Sequence, residues 1–213
     1  MRRIIFYLTA FLLLTASTAA QAPQGSFING REHEGEALSC DLPAAQQIKN
    51  IGSAVDGQGM CVMSSVEMAA RWQGLDQLRG LRDWCARQPG GAYPGKVDQQ
   101  IRAFCASRKI PPPDYLQYEG RDPGPILQLC DRTGRMACMT YGYSPRYGGT
   151  IAHMTCCPKY NGRWAVCLDN NFPGENSYEW MTLDELLRRI KHPSGSGWLF
   201  VWLAPPPPPV PHN

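Results

Sequence analysis

The sequence predicts an α+β protein, and three observations carry that expectation. Apolar residues recur at helical spacing through the first half of the chain, whereas strand-length apolar runs dominate the second. Helix-forming segments also occur before and among those runs, which favours a largely antiparallel sheet over alternating βα units. With 213 residues, 43% of them hydrophobic and 18% charged, the chain suits one compact domain plus accessory segments.

The N-terminus reads as a secretory leader over 1–20. Arg2 and Arg3 form its positive end, 4–14 its apolar core, and Thr18-Ala19-Ala20 a small-residue cleavage site. That core is too short for a membrane span, which needs about 20 apolar residues, and no later stretch qualifies; the alternative is an uncleaved N-terminal anchor. The expected location is secreted or periplasmic, where disulfides persist. Removing Arg2 and Arg3 takes the 21 basic residues to 19 against 18 acidic ones. A near-neutral chain offers no electrostatic basis for binding nucleic acid or an anionic membrane.

Residues 21–49 are polar and punctuated by Gly and Pro, so a loop-rich N-terminal segment is expected, with Cys40 tied down covalently. The main domain spans 50–204, with a helical part over 50–113 and a sheet part over 114–204. Its first helix covers 60–73: Val62, Val66, Ala69 and Ala70 share one face, and Met63, Met68 and Trp72 make other faces apolar, as in a buried helix. After Gly74, the residues Leu75, Leu78, Leu81 and Cys85 mark a second helix that stops near Pro89-Gly90-Gly91. Val97, Ile101, Phe104 and Cys105 mark a third, closed by Pro111-Pro112-Pro113.

In the sheet part, 115–118 is a short strand. Residues 125–132 form a helix with Pro at its start, and 136–141, 151–157 and 164–169 are strands. The last two are joined by the turn Lys159-Tyr160-Asn161-Gly162. Residues 182–190 form a helix with Thr182 as N-cap and Glu185 completing a capping box. Residues 198–203 make a final strand, and 205–213 a polyproline tail that stays out of any core. That tail could recruit a groove-bearing partner or serve as a spacer.

Cys61 begins the most buried helix, directly after Asp56-Gly57-Gln58-Gly59. The partly positive end of a helix favours thiolate over thiol, which is where a nucleophile gains most. A structural or disulfide role is the alternative. Of the four histidines, His33 lies in the N-terminal segment, His192 in a loop and His212 in the tail; only His153 falls in a core strand. Imidazole can take a thiol proton and activate sulfur for attack on a carbonyl carbon. The following strand ends in Leu168-Asp169-Asn170-Asn171, which brings a carboxylate or amide near His153 to hold its tautomer, although these residues equally suit a turn.

Cys at the start of a buried helix, His in a strand and Asp or Asn closing the next strand: this order resembles the papain-like cysteine peptidase superfamily over residues 52–203. Gly57-Gln58-Gly59-Met60-Cys61-Val62 is similar to the nucleophile segment, and Ala152-His153-Met154 with 164–170 to the His and Asn/Asp strands. The resemblance implies a papain-like fold, with the Cys-bearing helix packed against a mainly antiparallel sheet, Cys61 as nucleophile, His153 as base and then acid, and Asp169 or Asn170 as orienter. Asp169 is preferred because it follows the histidine by 16 residues, and alternation places the two on opposite faces. Papain-type enzymes carry an oxyanion-stabilising glutamine about six residues before the cysteine. Here Val55 stands there and Gln58 is three before, so either Gln58 or backbone N–H groups near Met60 and Cys61 would serve.

The implied activity is a secreted thiol hydrolase that cleaves an amide in a peptide or protein substrate, with peptidoglycan as a second substrate class and no cofactor. A non-enzymatic alternative is a papain-like binding module that presents Tyr141, Tyr143, Tyr147 and Tyr160 as an exposed aromatic surface. Besides Cys61, the cysteines at 40, 85, 105, 130, 138, 156, 157 and 167 allow up to four disulfides, with Cys85 and Cys105 one candidate pair. Adjacent Cys156 and Cys157 point to opposite faces of a strand. His153, Cys156 and Cys157 are zinc-binding types, but no Cys-x-x-Cys pair accompanies them, so no metal is expected.

Overall fold

The computed structural model describes residues 26–28, 32–33, 35–120, 122–174 and 177–205. The expected leader at 1–20 and the tail beyond Pro205 lie outside these residues. In order come strands β1 (Ser26–Ile28), β2 (Glu32–His33) and β3 (Glu36–Ala37), then helices α1 (Cys61–Trp72), α2 (Leu81–Cys85) and α3 (Val97–Arg108). They are followed by β4 (Tyr115–Glu119), α4 (Gly124–Arg132), β5 (Ala137–Ser144), β6 (Gly149–Tyr160), β7 (Trp164–Leu168), β8 (Tyr178–Thr182), α5 (Leu183–Ile190) and β9 (Trp198–Trp202). Seven strands form one antiparallel sheet in the order β1-β8-β7-β6-β5-β9-β4. The chain is therefore mixed α+β.

Both faces of the sheet are covered over its inner strands, which explains why β7 and β9 read as unbroken apolar runs. In β9, Trp198, Phe200 and Trp202 enter a core shared with α1, α2 and α3, while Leu199 and Val201 enter a second core under α4 and α5. Cys156 and Cys157 divide between the same two cores, as alternation requires. Helix α1 is buried around most of its circumference. It is pinned to the sheet by the Ser65 hydroxyl donating to the Met154 carbonyl (3.1 Å) and by Trp202 Nε1 donating to the Val66 carbonyl (2.9 Å).

The structure corrects several expectations. The second helix is broken into a 3-10 turn at Asp76–Leu78 and the short α2, because Gly80 adopts φ 86° between them. Buried Glu67 of α1 then takes over as cap, accepting the N–H groups of Gly80 (3.0 Å) and Arg82 (2.8 Å) while pairing with Arg71 at 2.8 Å. The N-terminal segment contributes β1, which pairs with β8. Strand β8 was not anticipated, since Glu179 interrupts its apolar pattern. At α5, Thr182 caps the Glu185 N–H at 3.2 Å, but the Glu185 carboxylate turns to Arg188 and Arg189 and leaves the capping box half made.

The structure holds no two of the nine cysteines at disulfide distance, Cys85 and Cys105 included. Cys85 instead feels the Glu67 carboxylate, which together with burial pushes its thiol up to about 12. Nor is there an exposed tyrosine face: Tyr141 is buried within β5, and Tyr160 is buried because β6 extends through the expected turn and carries it inside. His33 packs among the rings of Phe27, Trp164 and Trp180. No helix among the described residues is long and apolar enough to cross a membrane.

Candidate active site

The chain enters α1 through a loop closed by the Gly52 to Gly59 bridge, and Cys61 is the first helical residue. Met60 at the N-cap makes no side-chain cap. Its own N–H is taken by the Asn50 Oδ1 (3.0 Å) and the Ile51 carbonyl (2.9 Å), so it has no donor left to offer a ligand. The Cys61 N–H has no partner among the described residues and lies at the positive end of the helix. Gln58 sits on the exposed side of the loop, where its carbonyl accepts the Ser53 N–H at 2.8 Å, and it does not line the cavity beside Cys61.

His153 stands opposite Tyr141 in the β5 to β6 register and is buried. Its Nε2 is 2.9 Å from Asp169 Oδ1 and 3.3 Å from the Tyr147 hydroxyl oxygen, and its ring lines the same cavity as Cys61, with whose thiol it interacts electrostatically. Asp169 directly follows β7 and is almost wholly enclosed. Its Oδ1 also accepts the Asn171 N–H (2.9 Å), and its Oδ2 accepts the hydroxyls of Tyr147 (2.8 Å) and Tyr141 (3.1 Å).

The structure thus brings Cys61, His153 and Asp169 together and gives Asn170 a different task. Asn170 Nδ2 donates to the Cys61 carbonyl (3.0 Å), the Ser65 hydroxyl (2.9 Å) and the Met154 carbonyl (2.9 Å). It therefore clamps the nucleophile's helix to the histidine's strand. Sequence reasoning missed Tyr141, in β5, and Tyr147, in the 3-10 turn Pro145–Tyr147, as supports, because neither position carries a local signature that a tyrosine hydroxyl turns inward.

These contacts set the charge state. Burial opposes a thiolate at Cys61, but the hydrogen bond and positive charge of His153, with backbone hydrogen bonds from Met154 and Val62, bring the thiol below its ordinary value. Burial likewise opposes imidazolium, yet hydrogen bonds to Asp169 and Cys61 and their charges lift His153 to about 9. Asp169, despite burial, is held low by His153, the Asn171 N–H and Tyr147. Both shifts act in the same sense, towards thiolate at Cys61 and imidazolium at His153.

The pH dependence follows in sign. The pair is lost as acid protonates the sulfur, and lost again as pH rises through about 9 and His153 discharges. Asp169→Asn keeps an oxygen acceptor but removes the charge, so the His153 imidazolium is expected to titrate below about 9, by roughly one unit or more. Imidazole NMR across pH checks this, and an unmoved titration would show that Asp169 does not set the histidine's charge.

Beside the sulfur lies a cavity of about 200 Å³, lined by Cys61, His153, Thr140, Tyr141, Met154, residues 92–94 and the loop 194–196. The loop is seated by a close backbone approach at the β5 bulge: a Cβ on Gly142 would lie 2.3 Å from the Gly195 nitrogen. His153 is the cavity's only ionisable nitrogen base, and no carboxylate or lysine lines it. Cys156 Sγ donates to the Ser65 carbonyl and Cys157 Sγ to the Lys159 carbonyl, both at 3.3 Å. No group of three His, Cys, Asp or Glu side chains among the described residues could hold a metal ion. No protein-family model matches this chain, and no curated protein matches it.

Proposed function

We propose that the protein is a papain-like thiol hydrolase that cleaves an amide bond in a peptide or protein. The observation that carries this reading is the single imidazole of His153, hydrogen-bonded to Asp169 and lining the same cavity as Cys61, at the head of α1. Sγ of Cys61 attacks the carbonyl carbon, and the C=O electron pair moves to oxygen. The Cys61 N–H at the head of α1 is the donor available to that oxyanion. His153 then passes its proton to the amide nitrogen, the C–N bond breaks, and a thioester to Cys61 remains. Water attacks that thioester as His153 takes its proton, and the carboxylic acid leaves with the thiolate restored.

The apolar, uncharged lining of the cavity favours an uncharged side chain next to the scissile carbonyl. The test is mass spectrometry of fragments released from casein and from purified peptidoglycan. Release from either supports thiol hydrolysis and identifies the substrate class. Absence of release from both by reduced, full-length protein contradicts it.

A further inference from the structure

We propose that Asn50, Asn171 and Tyr147 form a positioning relay that joins the head of the nucleophile's helix to the carboxylate behind the base; its mechanistic consequence rests on the proposed chemistry. The Met60 N–H donates to Asn50 Oδ1 (3.0 Å), and Asn50 Nδ2 donates to Asn171 Oδ1 (3.0 Å). Asn171 Nδ2 donates to the Tyr147 oxygen (2.8 Å), and the Tyr147 hydroxyl donates to Asp169 Oδ2 (2.8 Å). From Asp169 the path runs through His153 to Cys61, the residue after Met60, so the chain of bonds closes on itself.

Its direction is fixed at both ends. A peptide N–H can only donate and an ionised carboxylate can only accept, so each amide in between has one orientation that serves. Bonds aligned in one sense polarise one another, which strengthens the last donation into Asp169. The relay also spans a gap in sequence: Asn50 and Met60 belong to the first half of the chain, Tyr147 and Asn171 to the second. It therefore ties together the two segments that supply the sulfur and the base. The Asn50 N–H adds a second tie, donating to the Asn170 carbonyl at 2.7 Å.

The titratable groups facing Asp169 are His153, with the Cys61 thiol beyond it, Tyr141, Tyr147 and Cys167. Of these, Tyr147 is the one through which the relay acts. Tyr147→Phe keeps the ring, which packs edge-on against His153 with centroids 5.5 Å apart, and deletes only the hydroxyl. The expected result is that Asp169, followed by carboxyl NMR, titrates about one unit higher, and that alkylation of Cys61 at neutral pH slows by about tenfold. Asn171→Ala is expected to shift Asp169 the same way by less. The double variant should be no worse than Tyr147→Phe alone, because Asn171 acts through Tyr147.

A purely structural role would leave the Asp169 titration where it was; that result, or additive effects in the double variant, would overturn the relay. Both readouts exist whether or not a peptide is hydrolysed. Failure of the relay is thereby separated from failure of the proposed activity.

Discussion

Cys61→Ala is expected to abolish hydrolysis, and His153→Ala to lower kcat by about a thousandfold or more with the fold retained. The two losses have different causes. Without the sulfur no thioester can form, whereas without the imidazole the sulfur survives as a thiol whose ordinary value lies well above neutral pH. The leaving nitrogen also loses its proton donor. His153 lies against Tyr141 and Tyr147, so its removal leaves a small hole at the edge of the core and not in its middle. Circular dichroism and steady-state kinetics on the same samples separate catalysis from folding, and a His153→Ala variant that keeps even a tenth of wild-type kcat would remove His153 from the mechanism.

The largest stability effect is expected far from the sulfur. Arg189 of α5 is fully buried and bonds Glu185 (2.8 Å), Glu179 (2.9 Å), the Ser26 hydroxyl (2.8 Å) and the Ser144 hydroxyl (3.2 Å). One guanidinium thereby ties α5 to β1, β5 and β8. Burial disfavours its charge, yet the hydrogen bond and charge of Glu179 keep it protonated, above its already high ordinary value. Arg189→Met strands the Glu179 carboxylate in the core and is expected to cost about 3 to 5 kcal/mol in chemical denaturation. Adding Glu179→Leu should recover much of that loss, because paired removal leaves no orphaned charge. A single variant within about 1 kcal/mol of wild type would show that the cluster is not what holds β1 and α5 to the sheet.

Much of this arrangement was legible in the residues, and the exceptions have physical causes. Strand β9 announces itself because every position is apolar, and helix α1 because apolar residues lie on several of its faces, which burial on most sides explains. Cys61, His153 and Asp169 were identifiable from element type and order. The preference for Asp169 over Asn170 rested on its separation of 16 residues from His153; alternation said only that the two face opposite ways. Strand β8 was illegible because its central Glu179 is satisfied by an arginine from a later helix, a tertiary fact with no local trace. The break at Gly80 was hidden for a similar reason: the cap that rewards it is Glu67, thirteen residues earlier on a different helix. The relay through Asn50, Asn171 and Tyr147 could not be read at all, because hydrogen-bond direction among amides and hydroxyls exists only once the halves are packed.

Eight of the nine cysteines are buried, and Cys61 alone is partly exposed. Burial also holds most of the enclosed thiols above their ordinary values, as at Cys40, Cys130, Cys138, Cys157 and Cys167. A neutral alkylating reagent applied to native, reduced protein across pH, with labelled positions read by mass spectrometry, therefore has a sharp expected outcome. Cys61 should be modified first, at a rate that levels off at lower pH than for an ordinary thiol, and His153→Ala should return that rate to the titration of an ordinary thiol, near pH 8.5. Labelling of Cys61 no faster than its buried neighbours, or a wild-type rate that rises only through the ordinary thiol range, would contradict an activated Cys61.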